Sequence, residues 1–131
     1  EVLNILDSAE VDIGTLVAPF KDFDEMQKAQ YVKAECHFKS NNTKARANNF
    51  TRIANKEKME NLYHHVGIYS YRREALEKFV KLKQTNREKE EKLEQLRAIE
   101  NNMHIEVSLI NSPILGIDTQ EDLDNIREIQ K

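Results

Sequence analysis

The apolar positions change period several times along the chain, and those changes predict an alternation of strands and helices. Val2, Leu3, Ile5 and Leu6 form an apolar stripe that reads as the end of a helix over residues 1–10. Asp12 to Phe20 is almost continuously small or β-branched, the pattern of a strand covered on both faces. Pro19 has no N–H to give to a ladder, so that strand should stop there or run along an edge. Asp22 to Met26 opens a short helical turn. Val32–Phe38 and Ala45–Ile53 read as two weaker strands joined by a turn at Ser40-Asn41-Asn42.

Leu62 to Tyr71 alternates. Leu62, His64, Val66 and Ile68 fall on one face, which is mostly core-like. Tyr63, His65, Gly67, Tyr69 and Tyr71 fall on the other, aromatic and polar around a glycine that leaves room beside it. Arg72 to Leu82 switches to helical spacing, with Ala75, Leu76, Phe79 and Val80 as its buried stripe. After a break at Lys83 to Asn86, a second helix is predicted from about Glu88 to Asn101, with Leu93, Leu96, Ile99 and Met103 on one side and a Glu88–Lys92 pair on its surface. Ile105 to Leu109 reads as a half-buried strand. Thr119 and Asp122 resemble a capping box that opens a last helix with Leu123, Ile126 and Ile129 inward. The resulting class is α/β with mixed strand direction, in one domain spanning 1–131.

Composition narrows the function classes. The chain has 131 residues, 39% hydrophobic and 33% charged, enough to bury a core, and its nine Phe and Tyr argue against disorder. A net charge of −3 supplies no overall attraction to nucleic acid or to a membrane surface. No apolar run approaches the ~20 residues of a membrane span, so no membrane insertion is expected. One cysteine, Cys36, excludes an internal disulfide, suits a cytoplasmic setting and reads as a small buried thiol. The charge is nevertheless uneven: Lys33 to Lys58 carries a local balance of +5, as either a solvated face or a site for a phosphate or carboxylate.

Several side chains could carry chemistry. Asp118, at a strand-to-helix turn, could bind a divalent cation or simply support the helix N-terminus. His65 and Tyr69 share a strand face and could meet one ligand, or fill a half-buried sheet. Arg52 could pair with a carboxylate in a bidentate manner. Glu94 and Gln95 stand beside the buried stripe of the second helix, where solvent-facing residues are also common. Three glycines in the whole chain cannot build a phosphate-cradling loop, and no Ser or Cys nucleophile arrangement is present.

Four runs in series carry a resemblance: Phe50-Thr51-Arg52, His65-Val66-Gly67-Ile68-Tyr69, Lys92-Leu93-Glu94-Gln95-Leu96-Arg97, and Gly116-Ile117-Asp118-Thr119-Gln120-Glu121-Asp122-Leu123. In this order and spacing the chain resembles the C-terminal half of the CMP-sugar synthetases, specifically the 3-deoxy-manno-octulosonate cytidylyltransferase (CMP-Kdo synthetase) family. Prolines of the family pattern are replaced here by Lys83, Gln84, Asn86 and Gln120. The resemblance implies the C-terminal portion of a nucleotide-diphospho-sugar-transferase-like three-layer α/β/α fold with a mixed sheet. This would be the sugar-binding and dimerisation half, the nucleotide-binding half being absent because the family's triphosphate loop would lie upstream of Glu1. It implies a cytoplasmic, homodimeric enzyme of lipopolysaccharide biosynthesis that transfers CMP from CTP to a 2-keto-3-deoxy sugar acid and releases pyrophosphate. Arg52, His65, Tyr69, Glu94 and Gln95 would line the sugar-acid pocket, and Asp118 would hold magnesium (Mg2+). A non-catalytic remnant that keeps the sugar-side surface is the alternative, and it would expose a sheet edge and self-associate.

Overall fold

The computed structural model describes residues 4–111 and 120–129. Five strands form the centre: β1 (Ile13–Ala18), β2 (Lys33–Cys36), β3 (Lys44–Thr51), β4 (Leu62–Tyr71) and β5 (Ile105–Leu109). They follow one another in the order β1-β4-β2-β3-β5, and β5 returns to β1, so the sheet closes into a barrel. Only the β1–β5 pair is parallel; the other four pairings are antiparallel. Each strand therefore has two neighbours, and the bare edge anticipated from the sequence does not exist among the described residues. Closure is what removes it.

Every residue of β1 is buried, as its unbroken apolar pattern requires, and the strand ends at Pro19. Gly14 leaves no room for a side chain without a shift: a Cβ would stand 2.6 Å from Ser70 Oγ and 3.0 Å from Ile5 Cβ. Asp22 caps the short α1 (Phe23–Met26) by accepting from Glu25 N, and Asn41 takes the left-handed conformation (φ 65°) in the β2–β3 turn. Residues Asn4–Asp7 form one 3-10 turn where a helix end was expected.

Two apolar clusters lie on opposite sides of the β1–β4 pair. The larger joins Ile13, Val17, Ala34, Phe50, Ile105 and Val107 to the helices, and Tyr63, Tyr69 and Tyr71 pack against it. The smaller joins Leu16 and Val66 to Ile5 and Val11. The aromatic face of β4 thus lines the main core, the half-buried sheet that was one of the two readings for His65 and Tyr69. On the face expected to be mostly core-like, Leu62 and Val66 are buried, and Ile68 is 46% exposed.

The helices also depart from the periodic pattern in places. In α2 (Arg73–Lys81) Ala75 and Phe79 are buried, but Leu76 and Val80 are exposed, so only half of the stripe meets the core. The predicted second helix divides into α3 (Asn86–Glu91) and α4 (Gln95–Glu100), because Lys92 turns left-handed (φ 55°) between them. That turn cancels the expected Glu88–Lys92 pair. Glu88 instead closes a capping box with Thr85 and takes a bidentate guanidinium from Arg97, at 2.6 and 2.9 Å. The Arg97 hydrogen bonds hold the Glu88 carboxyl below the usual carboxylate range. Glu121 of the last helix, α5 (Gln120–Ile129), pairs at 3.3 Å with Lys28 in the loop between α1 and β2.

Candidate functional site

The site begins with an irregularity in the β1–β4 ladder. Thr15 pairs with Tyr69, but the next residue, Leu16, pairs with Val66, so Gly67 and Ile68 bulge out of β4. Thr15 is the one hydroxyl residue in an otherwise apolar strand and is fully buried. Its Oγ1 lies 2.8 Å from the Ile68 carbonyl, 3.1 Å from the Val66 carbonyl and 2.9 Å from His65 Nε2. The imidazole beside it is 8% exposed, packed edge-on against Phe50 at 5.0 Å and tilted against Tyr69 at 5.4 Å. Burial drives the His65 pKa down to about 4, with His64 next door adding to the shift. His65 is therefore neutral at physiological pH.

From His65 the aromatic series continues through Tyr69 and Tyr71 to Phe79, over which the Arg97 guanidinium sits at 4.7 Å. Burial raises both phenol pKa values above the ordinary range. The exposed Glu94 carboxylate adds a smaller upward push on Tyr69 and Tyr71. Gln95 follows at the start of α4 and is half-buried. The structure thus brings His65 and Tyr69 into ring contact, and the Glu94 charge is within electrostatic reach of Tyr69. At Gly67 a Cβ would meet nothing within 4 Å, so packing does not demand glycine there, and the space beside the strand is open.

Arg52 occupies a different kind of place. Its Nε donates to Glu91 O (3.2 Å), Nη1 to Ala29 O (3.3 Å) and Nη2 to Lys92 O (3.4 Å). Three of the five guanidinium N–H bonds are therefore directed at main-chain carbonyls, two of them in the link that leads to Glu94 and Gln95. Lys33, completely buried, completes this corner by donating to Lys28 O at 2.8 Å and Arg52 O at 2.7 Å. Desolvation, with Arg52 adding to it, lowers its pKa to about 8. Neither Thr15 nor Lys33 stood out in the sequence as a site residue. The only signals were a hydroxyl inside an apolar run and a lysine at the head of a buried one.

The remaining basic residues are dispersed. Lys58 pairs with Glu35 at 3.3 Å, and Lys44 donates to Asn4 O at 3.1 Å. An open groove of about 410 Å³ on the β2–β3 hairpin is lined by His37, Lys39, Asn42, Lys44, Arg46 and neighbours, and shares no residue with the sites above. Cys36 is buried, and its thiol pKa is pushed up to about 12, chiefly by desolvation, as expected of an inert thiol. Asp118 lies outside the described residues. Among the described residues no group of three or more His, Cys, Asp or Glu could hold a metal ion. None of the described helices is long and apolar enough to cross a membrane.

Residues 1–105 match the family model described as cytidylyltransferase. The chain belongs to the cytidylyltransferase family. Among its relatives, the 3-deoxy-manno-octulosonate cytidylyltransferase of Bartonella quintana is 48% identical over 127 residues, which is 97% of this chain and 52% of the relative. The enzyme of that name from Brucella anthropi is 44% identical over 122 residues, 93% of this chain and 49% of the relative. A solved structure of CMP:2-keto-3-deoxy-manno-octonic acid synthetase complexed with CTP superposes with a TM-score of 0.77 at 25% identity, covering 98% of this chain and 52% of the other. The mixed α/β fold with a mixed sheet is thus that of a cytidylyltransferase. The chain spans about half the length of the curated relatives it matches.

Proposed function

We propose that this chain forms the sugar-acid side of a cytidylyltransferase that transfers CMP from CTP to a 2-keto-3-deoxy sugar acid, 3-deoxy-D-manno-octulosonate, with release of pyrophosphate. The observation that carries this reading is the ring contact between His65 and Tyr69, with the Glu94 charge within electrostatic reach of Tyr69, in a chain 48% identical to an enzyme of that name. A sugar acid is a ring of hydroxyls with one carboxylate. A neutral imidazole, phenols, a carboxylate and the Gln95 amide offer the donors and acceptors that such hydroxyls need. The N–H bonds of Arg52 not directed at carbonyls are the local cationic donors for the sugar carboxylate. Magnesium enters this reading only through Asp118. Asp118 would hold it together with an aspartate of the nucleotide-binding half, one or two carboxylates being the usual protein share for Mg2+. When bound, the ion would neutralise charge on the phosphates.

A direct test joins this chain to the N-terminal half of the Bartonella quintana relative and measures CTP-dependent pyrophosphate release with 3-deoxy-D-manno-octulosonate. Turnover that is lost in His65→Ala and Glu94→Ala supports the reading. A folded fusion that neither turns over nor binds the sugar acid overturns it.

The homodimer belongs to the same proposal. Leu76 and Val80, 44% and 66% exposed and one turn apart on α2, are the apolar positions that a second copy would cover. Light scattering tests this: Leu76→Glu should shift a dimer to monomer, and a monomeric wild-type chain removes the assignment.

A further inference from the structure

The contacts of Thr15 decide a question that the sugar-acid reading leaves open, namely which nitrogen of His65 carries the proton. A threonine hydroxyl has one proton to donate. The Ile68 carbonyl oxygen stands 2.8 Å from Oγ1 and the Val66 carbonyl oxygen 3.1 Å, and both can only accept. An oxygen–oxygen approach of 2.8 Å with no proton between the atoms is repulsive, so the Thr15 proton points into the bulge. Its lone pairs then face His65 Nε2 at 2.9 Å, and that nitrogen must be the donor.

We propose that Thr15 is a positioning residue for the sugar-acid site: pinned to the β4 bulge, its hydroxyl accepts from His65 Nε2–H and so fixes the tautomer whose Nδ1 is a bare acceptor. This rests on the assignment of His65 to that site. It also defines what His65 reads. A neutral ring with Nδ1 as acceptor takes a hydroxyl of the sugar and gives nothing to a carboxylate, which leaves the acid group to a cation such as Arg52. The same hydroxyl shapes the bulge, because the two carbonyls that it gathers flank Gly67 on either side. Thr15 thereby couples ring orientation to the open stretch of strand.

The test is made first without ligand, by imidazole nitrogen–carbon NMR correlations on the 131-residue chain. His65 should carry its proton on Nε2 alone. Thr15→Val should populate the other tautomer, and Thr15→Ser, which restores the hydroxyl, should return the wild-type pattern. An Nδ1–H ring in the wild type, or an unchanged ring in Thr15→Val, overturns the positioning role. Should Thr15→Val fail to fold, the wild-type and Thr15→Ser spectra still decide it. Titration with 3-deoxy-D-manno-octulosonate follows, with affinity expected to fall about tenfold or more in Thr15→Val and to recover in Thr15→Ser. A ring with the expected tautomer that no sugar acid perturbs overturns the site assignment, and with it the service that Thr15 performs; a wrong tautomer overturns the positioning alone.

Discussion

Two polar centres are built into this barrel, and they solve the burial problem in opposite ways. Around Thr15 and His65 the groups are neutral: the ring gives up its charge, one nitrogen is tied to a hydroxyl, and the other retains its capacity to accept. Around Lys33 and Arg52 the groups are cationic, and main-chain carbonyls face them in place of carboxylates. A cation whose donors mostly reach carbonyls is chiefly a strut, with only its remaining N–H bonds left for a ligand. A neutral ring whose second nitrogen bonds to none of the described residues keeps a capacity that a ligand could use. Being buried and polar, then, does not by itself mark a ligand contact; what matters is which hydrogen-bonding capacity remains after the fold has used its share.

Several experiments would break or sharpen that contrast. The largest effect should be the acid response of His65. Its folded-state pKa, about 4, lies below the ordinary 6.5, so the unfolded chain takes up the proton first. The contribution is fully present above pH 6.5 and is lost as pH falls toward 4, at most about 3 kcal/mol. Urea midpoints of wild type and His65→Gln between pH 7 and 4 check it; parallel curves would mean a ring that is not buried neutral.

Lys33 should respond on the alkaline side. Its pKa of about 8, below the ordinary 10.5, means that the folded chain releases the proton first, so stability should rise between those two values. A gain of about 1–2 kcal/mol is expected, and Lys33→Met should abolish it. Tyr69 and Tyr71 act in the opposite sense at still higher pH, which is why the difference between the two proteins is the quantity to follow.

Arg52→Lys should cost about 1 kcal/mol, since one ammonium cannot reproduce a fork that reaches three separate carbonyls. Hydrogen exchange should report faster opening of the amides from 91 to 96, the link that carries Glu94 and Gln95. Sugar-acid affinity dropping with no change in that exchange would mean that Arg52 serves the ligand through its remaining N–H bonds and not as a strut.

The smallest effect on stability should come from Gly67→Ala, within about 0.5 kcal/mol, because the added Cβ meets nothing. Sugar-acid binding should nevertheless weaken if a ligand lies along the bulge. Gly14→Ala, placed against Ser70 and Ile5, is the contrasting control and should lose about 1–3 kcal/mol.

What the sequence determined by itself is the local and the periodic. All five strands lie where the apolar runs and alternation put them, Pro19 ends β1, and Asp22 opens α1. The resemblance carried by His65-Val66-Gly67-Ile68-Tyr69 and Leu93-Glu94-Gln95-Leu96 pointed to the family that the relatives bear out. Only the tertiary structure decided that both faces of β4 meet apolar clusters. The two-residue bulge at Gly67 and Ile68 interrupts the alternation there, and barrel closure turns Tyr63, His65, Tyr69 and Tyr71 toward the larger cluster. It also decided that a single left-handed residue, Lys92, divides one periodic helix and sends Glu88 to Arg97, nine positions away. Period and propensity act between near neighbours along the chain. The proton on His65 and the carbonyls around Arg52 and Lys33 depend on residues 5 to 50 positions distant, which meet only once the strands have closed.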